Sequence, residues 1–155
     1  AMKANTITFM IDDFRFTIES WLWSLLAINA DEMKEINMDE KMFKARTKKL
    51  AVAIIKQVDK LPRSLASDVI SRQVIRSGTS IGANYRAACR AKSTPDMINK
   101  MKIVEEESDE TQYWLEILVE AGLVPQNQIA DIDKETDEIL AMTVASIKTL
   151  RTRKS

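Results

Sequence analysis

Histidine is missing from this 155-residue chain altogether, and that absence removes more chemistry than any other. A ferritin-like carboxylate centre in a helical bundle needs Glu-x-x-His pairs, and zinc sites ordinarily need histidine or several cysteines. Serine, cysteine and aspartate nucleophiles lose their usual base as well. No spacing singles out a Ser-Lys or paired-carboxylate site in their place. No enzyme activity, metal or cofactor is therefore expected.

Cysteine, glycine and proline are almost as scarce. Cys89 stands alone and cannot form an internal disulfide, and no secretory signal precedes it, so a reducing cytoplasm is the natural location. Three glycines and three prolines, against abundant Ala, Leu, Met, Glu, Lys and Ile, favour long uninterrupted helices over a sheet. The length suits one domain, which at this size buries about two-thirds of its unfolded surface.

Net charge is missing too. The formal total is zero; residues 1–37 hold three basic and six acidic side chains, leaving 20 basic and 17 acidic in the remainder. Bulk electrostatics thus give no reason to expect nucleic acid, and any site for a polyanion must be a local patch.

What is present reads as four helices. Asp39 can cap a first, with Phe43, Thr47, Leu50, Ile54, Val58 and Leu61 at three- and four-residue steps before Pro62. A second is expected from about Leu65 to Ala91, with Ile70, Val74, Ser77, Ile81, Tyr85 and Ala88 on one face. Gly78 and Gly82 lie in its middle, each costing about 1 kcal/mol of helix stability against Ala. Close approach by a neighbouring helix would compensate; a phosphate loop is disfavoured because no strand precedes them. Ser93-Thr94-Pro95-Asp96 starts a third helix that reaches Ala121, and Gly122 stops it. The fourth carries Ile129, Ile132, Thr136, Ile139, Thr143, Ile147 and Leu150. Short connections make neighbours antiparallel, so the fold class is all-α: an up-down-up-down four-helix bundle over residues 38–155.

Residues 1–37 form an extra N-terminal segment. Ala1-Met2 looks like a cloning remnant. Three readings compete for the rest, in descending order: an incidental leader, an arm covering a neighbouring subunit, and an interfacial membrane helix. The last is weakest because the segment is acidic and its apolar run too short to span a bilayer, so no membrane partner is expected.

Two surfaces are candidate sites. At 100° per residue, Arg72, Arg76, Arg86 and Arg90 share an arc of about 80° opposite the apolar stripe of the second helix, along a line ~27 Å long. Such a line can grip phosphates, or pair with carboxylates such as Glu105, Asp109, Glu116 and Glu120 of the third helix; the ion-pair reading is preferred. The third helix should turn Met97, Met101, Val104, Ser108, Thr111, Leu115 and Leu118 to the bundle. Ile103, Tyr113, Trp114 and Ile117 then lie on the other side, where aromatic residues mark a self-association surface.

Arg76-Ser-Gly-Thr-Ser-Ile-Gly-Ala-Asn84 and Glu105-Glu-Glu-Ser-Asp-Glu-Thr-Gln-Tyr-Trp-Leu-Glu116 together resemble the small bacterial four helix bundle protein family, also called the 23S rRNA intervening-sequence protein family. The resemblance covers roughly residues 38–150. It implies a bundle that assembles into a homopentameric, barrel-like ring, with no defined biochemical role. It also implies a relation to the accessory protein of diversity-generating retroelements, a markedly basic protein that works with a reverse transcriptase and nucleic acid. The near-neutral charge here departs from that branch. The expected function is accordingly a non-enzymatic, ring-forming scaffold or interaction protein whose partner is itself and a further protein or nucleic acid. The alternative is a nucleic-acid-binding accessory factor using the four arginines with Arg151, Arg153 and Lys154.

Overall fold

The computed structural model describes residues 40–152. Four helices account for most of them: α1 (Glu40–Val58), α2 (Leu65–Ala88), α3 (Thr94–Glu120) and α4 (Gln126–Thr152). Each packs on the next and α4 returns against α1, which closes an antiparallel four-helix bundle with no strand among the described residues. The expected cap at Asp39, the segment 1–37, and Arg153 and Lys154 lie outside the described residues.

Local signals place the ends. Ser64 caps α2 by accepting the amide of Ser67 at 3.1 Å, and Ser93 caps α3 by accepting that of Asp96 at 3.3 Å, with Pro95 in the first turn where its missing N–H costs nothing. Gly122 ends α3 at φ 68°, where the amide of Leu123 reaches back to the carbonyl of Leu118 at 3.0 Å. Two helices stop earlier than their apolar pattern suggests. After Val58 the amides of Lys60 and Leu61 bond three residues back, at 3.1 and 3.0 Å, and after Ala88 those of Arg90 and Ala91 do the same. This tighter winding leaves Leu61, and more importantly Arg90, beyond the α-helices they were expected to extend.

The core is built from the apolar stripes read in the sequence, and the four-helix expectation holds to the residue along α4, where all seven named positions are buried. Phe43 and Tyr85 meet with ring centroids 4.1 Å apart. The glycines of α2 sit where α1 comes closest. A Cβ on Gly82 would lie 3.2 Å from Thr47 Oγ1 and 3.4 Å from its Cβ, and one on Gly78 would collide with the tip of Ile54. Their absent side chains let two helices touch.

The centre of the bundle also holds hydroxyls. Thr47, Ser77, Ser108, Thr111, Thr136 and Thr143 are buried, and each donates to a carbonyl four residues back on its own helix. Thr111 Oγ1 also lies 2.9 Å from Ser77 Oγ, which accepts a share of the single Thr111 proton. Polar groups satisfied in this way add no desolvation cost.

Candidate functional site

The interior offers little chemistry. Burial pushes the Cys89 thiol up to about 11, so it stays protonated and unreactive at neutral pH. Among the described residues no group of three or more His, Cys, Asp or Glu side chains is placed to hold a metal ion, and no helix is long and apolar enough to cross a membrane.

Of the four arginines, only Arg76 has an ion-pair partner among the described residues. Its guanidinium reaches from α2 to α3, bonding Glu110 and approaching Glu107 at 3.5 Å. These are not the acidic residues the helical wheel had selected. Glu105, Asp109, Glu116 and Glu120 turn further from α2, whereas Glu107 and Glu110 flank the seam between the helices. Arg72, Arg86 and Arg90 are exposed and make no ion pair among the described residues, and Arg90 stands past the end of α2. The structure thus divides the arginine line into one internal tie and three solvent-facing cations.

The two carboxyls at Arg76 are pushed in opposite directions. The Arg76 hydrogen bond, reinforced by Trp114 Nε1 at 3.0 Å, holds Glu110 below the usual carboxylate range. Glu107 is raised above it, chiefly because burial disfavours its charge; Arg76 only partly offsets this, and its Oε2 is buried with no hydrogen-bond partner.

On α3 the named surface residues divide as well. Tyr113 and Ile103 are 52% and 39% exposed, while Trp114 and Ile117 are half-buried. Trp114 packs edge-on against Tyr113, centroids 4.9 Å apart, and its indole N–H is spent on Glu110. Trp114 therefore braces the surface that Ile103 and Tyr113 present.

Sequence reasoning passed over further exposed apolar residues: Leu65 and Val69 on α2, and Val52 and Ile55 on α1. The spacing of each pair puts it on the side away from the core stripe, a signal available from the wheel but hidden by attention to buried positions. It also missed Arg46. This α1 guanidinium bonds Glu135 twice, at 2.7 and 2.8 Å, and Glu138 once, at 2.6 Å, tying α1 to α4.

Residues 40–145 match the family model described as 23S rRNA-intervening sequence protein. Among solved structures the chain is similar to a protein with unknown function from the S23 ribosomal protein family of Bacteroides thetaiotaomicron. The two are 37% identical, the match covers 72% of this chain and 99% of that one, and the TM-score is 0.66. No curated protein matches the chain.

Proposed function

Since the chain belongs to the 23S rRNA-intervening sequence protein family, whose solved relative carries no assigned function, we propose that it works as a non-enzymatic bundle that associates with copies of itself to form a scaffold. The observation that carries this reading is the outer face of α3, where Ile103 and Tyr113 remain 39% and 52% exposed although α3 already buries a full apolar stripe in the core. A helix apolar on two sides is suited to two partners, and a tyrosine braced by a tryptophan suits a protein interface. The ring of five is the number that family resemblance implies.

A second reading, an accessory factor for nucleic acid of the retroelement kind, draws support from one observation. Arg72, Arg86 and Arg90 are exposed and have no carboxylate partner among the described residues. The zero formal charge counts against it.

Light scattering coupled to size exclusion tests the first reading. Wild type should elute as an oligomer at micromolar concentration, and Ile103→Glu with Tyr113→Glu should elute as a monomer of unchanged helical content. A wild type that is monomeric under these conditions would end the proposal.

A further inference from the structure

The charge of the bundle is divided by hairpin. Residues 40–92, which hold α1 and α2, carry thirteen basic and three acidic side chains, a formal +10. Residues 93–152, which hold α3 and α4, carry five basic and thirteen acidic, a formal −8. A near-neutral total thus conceals two halves of opposite sign.

Each half has a helix face of matching design. On α1, Val52 and Ile55 are 42% and 38% exposed and share an arc of about 100° with exposed Lys48 and Lys56. On α3, Ile103 and Tyr113 share an arc of about 120° with exposed Glu106, Asp109 and Glu120 and with one exposed lysine, Lys102. The α1 face sets its apolar residues among lysines and the α3 face sets them among mainly acidic residues, the composition of an interface core with its polar rim. Moreover, α1 and α3 stand diagonally across the bundle, since they are not adjacent in the α1-α2-α3-α4 ring. Their outer faces therefore look away from each other, and one molecule can use both at once.

From this complementarity we propose that the partner of the α3 face is the α1 face of a second copy, so that the chain associates head to tail through opposite charges. This rests on the self-association reading above and specifies its geometry. A two-fold contact of α3 on α3 would bring together two faces that each carry three acids and one lysine, whereas the head-to-tail contact opposes those acids to lysines. A nucleic acid would satisfy only the cationic half and be repelled by the other; a second copy satisfies both. Such a contact does not close on itself in a dimer, and it propagates into a ring or a chain.

The test uses full-length Lys48→Glu/Lys56→Glu and full-length Glu106→Lys/Asp109→Lys, studied by analytical ultracentrifugation beside wild type. Salt runs from about 0.1 M to about 1 M, over which the Debye length falls from ~10 to ~3 Å. Wild-type assembly should weaken with salt, and each variant alone should associate on the order of tenfold more weakly. An equimolar mixture should reassemble into particles in which the two variants alternate, with an even number of subunits or one mismatched contact in a ring of five, because each acidic α1 then finds a basic α3; this rescue also shows that the variants are folded. A wild-type oligomer indifferent to salt and to both reversals overturns the head-to-tail contact while leaving the scaffold reading intact. So does a Lys48→Glu/Lys56→Glu protein that assembles normally but loses salt-sensitive binding to a single-stranded RNA probe, which would assign the α1 face to nucleic acid. A wild type monomeric at every salt concentration overturns both.

Discussion

Arg46 of α1 grips Glu135 of α4 through two parallel N–H···O bonds of 2.7 and 2.8 Å. The forked geometry matters because these helices meet along the thinnest seam of the bundle. A bidentate, partly buried pair contributes more than a typical surface bridge, and Glu138 adds a third bond. Arg46→Ala should lower stability by about 1–3 kcal/mol, since it also leaves Glu135 unpaired. Urea unfolding followed by circular dichroism measures this directly. A midpoint unmoved from wild type would mean the seam does not depend on the fork.

The contact of α1 with α2 makes a different demand. Gly82 faces Thr47 with room for nothing larger than a tightly held methyl. Leucine there should destabilise by about 1–3 kcal/mol through overpacking. Alanine should stay within about 1 kcal/mol of wild type, because its better helix propensity offsets a contact 3.2 Å from the threonine hydroxyl. Thermal unfolding of the two variants separates these outcomes, and a leucine variant as stable as wild type would refute the close approach.

Glu107 sets the third expectation. Burial raises its folded-state value above the ordinary ~4.3 of a glutamate. Between those two values the folded state holds more protons than the unfolded one, so this group's contribution to stability falls as pH rises through the window. Above that window its carboxylate is ionised in both states and the full cost of a buried, partly unpaired charge stands. Glu107→Gln should therefore be more stable than wild type by about 1 kcal/mol at pH 7, and the difference should largely vanish near pH ~3, about one unit below the ordinary glutamate value of ~4.3. Denaturant curves at the two pH values decide it; a glutamine variant less stable at neutral pH would show instead that the tie to Arg76 outweighs burial.

Much of the architecture was legible because apolar residues at three- and four-residue steps have only one way to be buried together. The α4 stripe from Ile129 to Leu150 and the α3 stripe from Met101 to Leu118 needed nothing beyond that periodicity. Gly78 and Gly82 announced a close approach, although only the fold could supply Ile54 and Thr47 as the neighbours. Helix ends were less legible, since the choice between three- and four-residue bonding after Val58 and Ala88 rests on small differences in the turns that follow. Long-range ion pairs were not legible at all. A wheel drawn for α3 alone marks Glu105 and Asp109 as an aligned pair, but the rotation of α3 against α2 decides that Arg76 meets Glu107 and Glu110. The cations Arg72, Arg86 and Arg90 were visible from the first; only the fold shows that they have no carboxylate partner among the described residues.

The stop at Gly122 bears on the order in which the bundle forms. Leu123 and Val124 fold back onto Leu118, and Val124 is 3% exposed, so α3 and α4 are brought together by a turn encoded within a few residues. The α1–α2 and α2–α3 contacts also join chain neighbours, and only the α1–α4 seam must wait for nearly the whole chain to be in place. Loop-closure entropy then makes that seam the final step of folding and the first to open. In hydrogen exchange, the amides of α1 should lose protection at a lower free energy than those of α2 and α3, which makes the first helix a separable cooperative unit on an otherwise locally wired three-helix core.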